Sequence, residues 1–131
     1  MALMSLTSRE EDYLEAIYLL TEKGDRVGIT DVARELGVTL PTVKSAVSRL
    51  KQDGLVEQKH YGKIVLNPTG QKIGAEIYRA HRALRVFLNK ILQVPLDVSE
   101  SEACRMEHAI SKDTLKRLES FVEDFQSQDN R

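Results

Sequence analysis

The 131-residue sequence has no tryptophan, a single cysteine and only 5% aromatic residues. A lone thiol closes no internal disulfide, so a reducing compartment suits it. So few aromatic rings argue against an aromatic-lined pocket for an organic ligand. No apolar run approaches the roughly 18 residues of a membrane span. The opening MALMSLTSREED also lacks the apolar core of a signal peptide. A cytoplasmic protein with no membrane association is expected, free of internal repeats and low-complexity tracts.

Apolar residues make up 41% and charged residues 30%, enough for a buried core beneath a charged surface. The net charge of −1 is uninformative, but its distribution is not. Residues 1–25 carry two basic and six acidic groups, whereas residues 26–72 carry eight basic and four acidic. A basic island behind an acidic segment suits a polyanionic partner.

Periodicity predicts a first helix from Ser8 to about Glu22, with Thr7 and Ser8 offering caps to Glu10 and Glu11. A short helix follows in ITDVARELG, with Thr30 as the expected cap and Gly37 as the left-handed stop. In VTLPTVKSAVSRLKQDG, Thr39 caps, Pro41 suits the first turn, and Val43, Ala46, Val47 and Leu50 recur at helical spacing. LVEQK and KIVLN, joined by HYG, read as a hairpin. A long helix is expected from about Gln71 to Leu92. The next is expected to be boxed by Ser99 and Glu102, and the last capped by Ser111, with QSQDNR as a frayed tail.

Two helices joined by a tight turn and followed by a hairpin form the order of a winged helix-turn-helix. The second of these helices keeps Val43, Val47 and Leu50 for the core. Thr39, Pro41, Thr42, Lys44, Ser45, Ser48 and Arg49 are its candidate DNA-facing residues. Small hydroxyls near its N-terminal end suit base edges, and cations suit phosphates. Lys59, His60 and Lys63 fall on the wing, where backbone contacts are made.

The segment EACRMEHAIS sets Cys104, Glu107 and His108 within about 100° of one helical side, with Ala103, Met106 and Ile110 on another. Thiolate, carboxylate and imidazole together are transition-metal ligands. Asp12 and Glu15 put two carboxylates on one edge of the first helix, and His81 interrupts the apolar stripe of the long one. Singly, each has an ordinary role: a buried thiol, acids favouring a helix N-terminus, a hydrogen-bonded core histidine. Six donors on three helices favour a metal.

The sequence resembles the diphtheria toxin repressor family of metal-dependent transcriptional regulators, which includes the manganese-transport regulators. The likeness rests on EDYLEAIYLL, VARELGVTLPTVKSAVSRLKQDGLV, LNPTGQKIG, AHRALRVFL and EACRMEHAIS. It implies a mainly α fold with a small β-hairpin. Residues 1–72 are then a winged helix-turn-helix domain and 73–131 a helical metal-binding and dimerisation domain, in the form without the SH3-like third domain. It also implies a homodimer on a palindromic duplex operator, with a divalent metal as corepressor and no organic substrate or enzymatic activity. Asp12, Glu15, His81, Cys104, Glu107 and His108 match the family's ligand positions. Cys104 is the iron-type choice and Asp12 the manganese-type choice. Where the iron branch places a glutamate and a histidine for a second metal, this chain has Arg85 and Glu100. Thiolate favours iron(II) and the hard carboxylates favour manganese(II); the expected metal is iron(II), with manganese(II) next.

Two rival readings use the same residues. A mononuclear metal hydrolase would employ the ligands with a carboxylate as base, yet no residues suggest a substrate pocket. The alternative is a winged-helix regulator that senses redox state or a small molecule through Cys104.

Overall fold

A computed structural model describes residues 6–24, 26–59 and 62–129. His60, assigned to the wing, lies outside them. The chain forms two compact units, Met1–Ile77 and Tyr78–Arg131. Among the described residues no helix is long and apolar enough to cross a membrane.

In the first unit, α1 (Ser8–Glu22) opens with a capping box. The Glu10 backbone N–H donates to Thr7 Oγ1 at 3.1 Å, and the Thr7 N–H donates back to Glu10 Oε1 at 3.0 Å. A cap of this kind contributes about 1 kcal/mol. The second helix, α2 (Ile29–Leu36), starts one residue before the expected cap Thr30. Its N-cap is Gly28, whose N–H donates to Asp31 Oδ2 at 2.8 Å. Gly37 ends it at φ 66°, as its sequence position predicts.

The helix α3 (Leu40–Gln52) is capped by Thr39 and carries Pro41 in its first turn. Val43, Val47 and Leu50 are buried with Leu14, Ile17, Val32 and Leu55 in one core. Each such side chain contributes about 1.5–3 kcal/mol. The hairpin is two short antiparallel strands, β1 (Val56–Gln58) and β2 (Ile64–Leu66), with Val56 opposite Leu66. The Ile64 N–H donates to the Val27 carbonyl at 2.8 Å, which ties the wing to the segment before α2.

The long helix α4 (Pro68–Val86) begins three residues before the expected start. NPTG reads as a break, but Asn67 acts as a cap: its Oδ1 accepts the Gly70 N–H at 2.8 Å. Pro68 fits there because a first-turn residue needs no amide donor. Gly70 and Gly74 are both buried, the first against the Leu55 carbonyl and the second against Tyr18.

The second unit takes up α4 from Tyr78 onward. A π-helical turn at Phe87–Ile91 ends this long helical segment. Gln93 then adopts φ 61°, and the Asn89 side chain donates to the Val94 carbonyl at 2.9 Å. The next helix, α5 (Leu96–Glu107), starts after Pro95, so Ser99 is not its cap. Ser99 is fully buried and its hydroxyl donates to the Val94 carbonyl at 3.0 Å. The last helix, α6 (Lys112–Asp129), has Ser111 Oγ accepting the Thr114 N–H at 3.1 Å, as expected of a cap. It continues through most of the segment read as a frayed tail.

Ala80, Leu84, Leu88, Ala103 and Leu115 make one small core, and Ala83, Val86 and Val122 another. Leu92, Leu96, Val98 and Phe121 remain exposed on this unit.

Candidate functional site

The surface of α3 opposite its core residues is polar and accessible. Thr39, Pro41, Lys44, Ser45, Ser48 and Arg49 are exposed, and Thr42 is half-buried. Thr39 and Thr42 join their hydroxyls at 2.8 Å, which orders the N-terminal turn of the helix. Arg49 interacts with two carboxyls. Burial raises Glu10, but hydrogen bonds from Thr7 and the Arg49 charge outweigh that and hold it below the usual range. Asp53 is pushed up by its own burial and by the neighbouring Glu10 carboxyl. On the wing, Lys59 and Lys63 are exposed, and Lys59 pairs with Glu57 at 2.9 Å.

On α1, Asp12 is half-buried and Glu15 buried, three residues apart on one edge. In the second unit, His81 is buried at 6% exposure and Glu107 at 5%, values that ionisable side chains reach only when partnered. His81 Nδ1 lies 2.9 Å from Glu107 Oε1. Cys104 and His108 are half-buried, with a donor atom of each within 4.8 Å of the other. His108 is the C-cap of α5, so the helix delivers Cys104, Glu107 and His108 along one edge as its final turns close. Ala103, on a different side, is buried in the small core, matching the two-sided character read from the sequence.

The expectations did not include a fourth α5 residue as part of this cluster. Glu100 Oε1 lies 2.7 Å from His81 Nε2, and its Oε2 accepts from Arg85 Nη1 at 3.1 Å. Burial would raise the Glu100 carboxyl, but hydrogen bonds from His81 and Arg85, with their charges, hold it below the usual carboxylate range. Spacing shows only that Glu100, four residues before Cys104, and Arg85, four after His81, share their neighbours' helix faces; it does not show the contact between the helices.

The donor set fits a divalent transition metal. One thiol, imidazoles and buried carboxylates suit a cation of intermediate softness, and hard ions such as magnesium would not recruit sulfur.

Comparison with known proteins agrees with both halves of this description. Residues 5–64 match the family model for the N-terminal DNA-binding domain of iron-dependent repressors. Residues 67–130 match that for the iron-dependent repressor metal-binding and dimerisation domain. An uncharacterized HTH-type transcriptional regulator of Methanocaldococcus jannaschii is 33% identical over 88% of this chain and 93% of its own length. The diphtheria toxin repressor of Corynebacterium diphtheriae is 32% identical over 91% of this chain. Among solved structures, the manganese regulator SloR superposes with a TM-score of 0.78 at 31% identity, covering 90% of this chain. The chain spans only about half the length of these last two, 53% and 55% respectively. A DNA-binding half, a metal-binding half and a relative matched along nearly its whole length agree: the chain belongs to the diphtheria toxin repressor family of metal-dependent, DNA-binding transcriptional regulators.

Proposed function

We propose that this chain is a homodimeric repressor whose DNA affinity is set by a divalent metal, iron(II) first and manganese(II) next, held by Asp12, Glu15, His81, Cys104, Glu107 and His108. The observation that carries the reading is the buried His81–Glu107 pair beside Cys104 and His108, in a chain whose α3 exposes a face of hydroxyls and cations. Such a regulator acts on operators in the cytoplasm, and no catalytic group is assigned.

The work of the site is electrostatic. Asp12, Glu15 and Glu107 are three acidic groups, and gathering them without a cation is unfavourable. A bound divalent ion supplies the positive charge that makes their approach favourable. Asp12 and Glu15 belong to α1, which packs on α2 and α3; holding α1 therefore holds the recognition helix. In the dimer, this sets the separation of two α3 helices, and a palindromic operator with matching half-sites is read. A coupling of about 1–3 kcal/mol between metal and DNA is sufficient. The exposed Leu92, Leu96, Val98 and Phe121 suit burial between two copies.

Anaerobic calorimetric titration of the apo-protein with iron(II), manganese(II) and zinc(II), beside Cys104→Ala, tests the reading. Saturable binding weakened by the substitution is expected. No binding of any of the three would remove the metal from the account.

A further inference from the structure

We propose that Glu100 is the positioning carboxylate of the metal centre: held by Arg85, it fixes the His81 ring so that Nδ1 is the atom offered to the metal. The inference rests on the metal reading above and deepens it.

The two nitrogens of His81 have different surroundings. Nδ1 faces Glu107 Oε1 at 2.9 Å, and the Glu107 side chain is only 3% exposed. Glu107 is itself a candidate ligand, so that bond is exchanged when the site fills. Nε2 faces Glu100 Oε1 at 2.7 Å. A carboxylate only accepts, so a proton on either nitrogen is held by its own partner, and Nε2 is the nitrogen whose partner is not a candidate ligand. Glu100 is not free to turn away, because its second oxygen accepts from Arg85 at 3.1 Å. Its side chain is 52% exposed, at the rim of the cluster, whereas Glu107 is enclosed. One carboxylate thus supports the ring from its outer edge and the other meets it on the inner edge. Imidazole ligands are typically oriented by such an acceptor on the second nitrogen, which fixes the tautomer and strengthens the donor. Arg85, four residues after His81 on α4, completes the support by holding the carboxylate that holds the ring.

The test uses the full chain, with zinc(II) and manganese(II) as probes. Long-range proton–nitrogen NMR of the zinc(II)-loaded wild type is expected to show His81 protonated at Nε2 and coordinated through Nδ1. Glu100→Ala is expected to raise the manganese(II) Kd by about 10- to 100-fold and to lose the single-tautomer pattern. Glu100→Gln, whose amide oxygen still accepts from Nε2, is expected to recover most of that affinity. Coordination through Nε2 in the wild type would overturn the proposal without any variant. An unchanged Kd in Glu100→Ala would also overturn it, as would equal losses in the Ala and Gln variants, which would make Glu100 a ligand. If the wild type binds neither ion, both this proposal and the proposed function fall; if it binds both and Glu100 proves indifferent, only this one does.

Discussion

Gly70→Ala tests how tightly the first turns of α4 pack within the first unit. A Cβ at Gly70 would enter the shell of the Leu55 carbonyl oxygen and lie 3.0 Å from that carbonyl's carbon, with Leu66 Cδ2 at 3.2 Å. Backbone cannot rotate out of the way as a side chain can. The same carbonyl accepts the Asn67 N–H at 3.1 Å, so pushing α4 off also strains the bond at its cap. Overpacking costs about 1–3 kcal/mol and the lost hydrogen bond about 0.5–1.5, giving roughly 2–4 kcal/mol. For a unit of this size, about 4–8 °C per kcal/mol predicts a fall in Tm of roughly 8–30 °C. Gly74→Ala is the internal control. Its Cβ would meet Tyr18 Cβ at 2.9 Å. Tyr18 Cβ is fixed to the backbone of α1, so that helix itself must give way, a smaller intrusion than at Gly70 that about 1 kcal/mol of returned helix propensity only partly offsets. Differential scanning calorimetry of the two variants should therefore give the larger loss for Gly70→Ala and a smaller loss for Gly74→Ala. A Gly70→Ala transition within 3 °C of wild type, or the reverse order, would refute the packing argument.

Three further outcomes are expected. Arg49→Ala and Lys44→Ala should each weaken duplex binding across sequences and reduce the salt slope by about one; fluorescence anisotropy over a salt series with unchanged slopes would remove α3 from the DNA interface. Asp53→Asn should raise Tm at pH 7. The Asp53 carboxyl of the folded chain is pushed above the ordinary aspartate range, because burial and the neighbouring Glu10 disfavour its charge. Its ionisation therefore costs stability as pH rises through the folded pKa, and the gain from the substitution should disappear below the ordinary aspartate range, where both states are protonated. Cys104→Glu should shift preference toward manganese(II), because a hard oxygen replaces sulfur; competition titration with a zinc(II) ratio unchanged from wild type would exclude the thiolate as a ligand.

Local chemistry was the part of the fold that the sequence displayed best. Thr7 with Glu10, and Thr39 with Pro41, mark helix starts because each cap is made within three residues of itself. The misread boundaries have two causes: two are local caps that compete with the expected start, and one is a residue claimed by the core. Gly28 displaced Thr30 because Asp31 reaches back to its amide. Asn67 turned NPTG from a break into a helix start. Ser99 was drawn into the core and donates to Val94 instead of capping α5. The edge bearing Cys104, Glu107 and His108 was legible from spacing alone. The Glu100–His81 contact was not, since it joins residues 19 apart in sequence and exists only once α4 and α5 pack.

Metal dependence of DNA binding is the most direct test of the account. The apo-protein, the iron(II)-loaded and manganese(II)-loaded protein, and Asp12→Ala with each ion should be compared for affinity to an operator selected from a random duplex pool with the loaded wild type. The account predicts that loading tightens wild-type binding by about 5- to 150-fold and that Asp12→Ala loses this gain while keeping its apo affinity. Equal affinity of apo and loaded wild type, or a full metal response in Asp12→Ala, would contradict it.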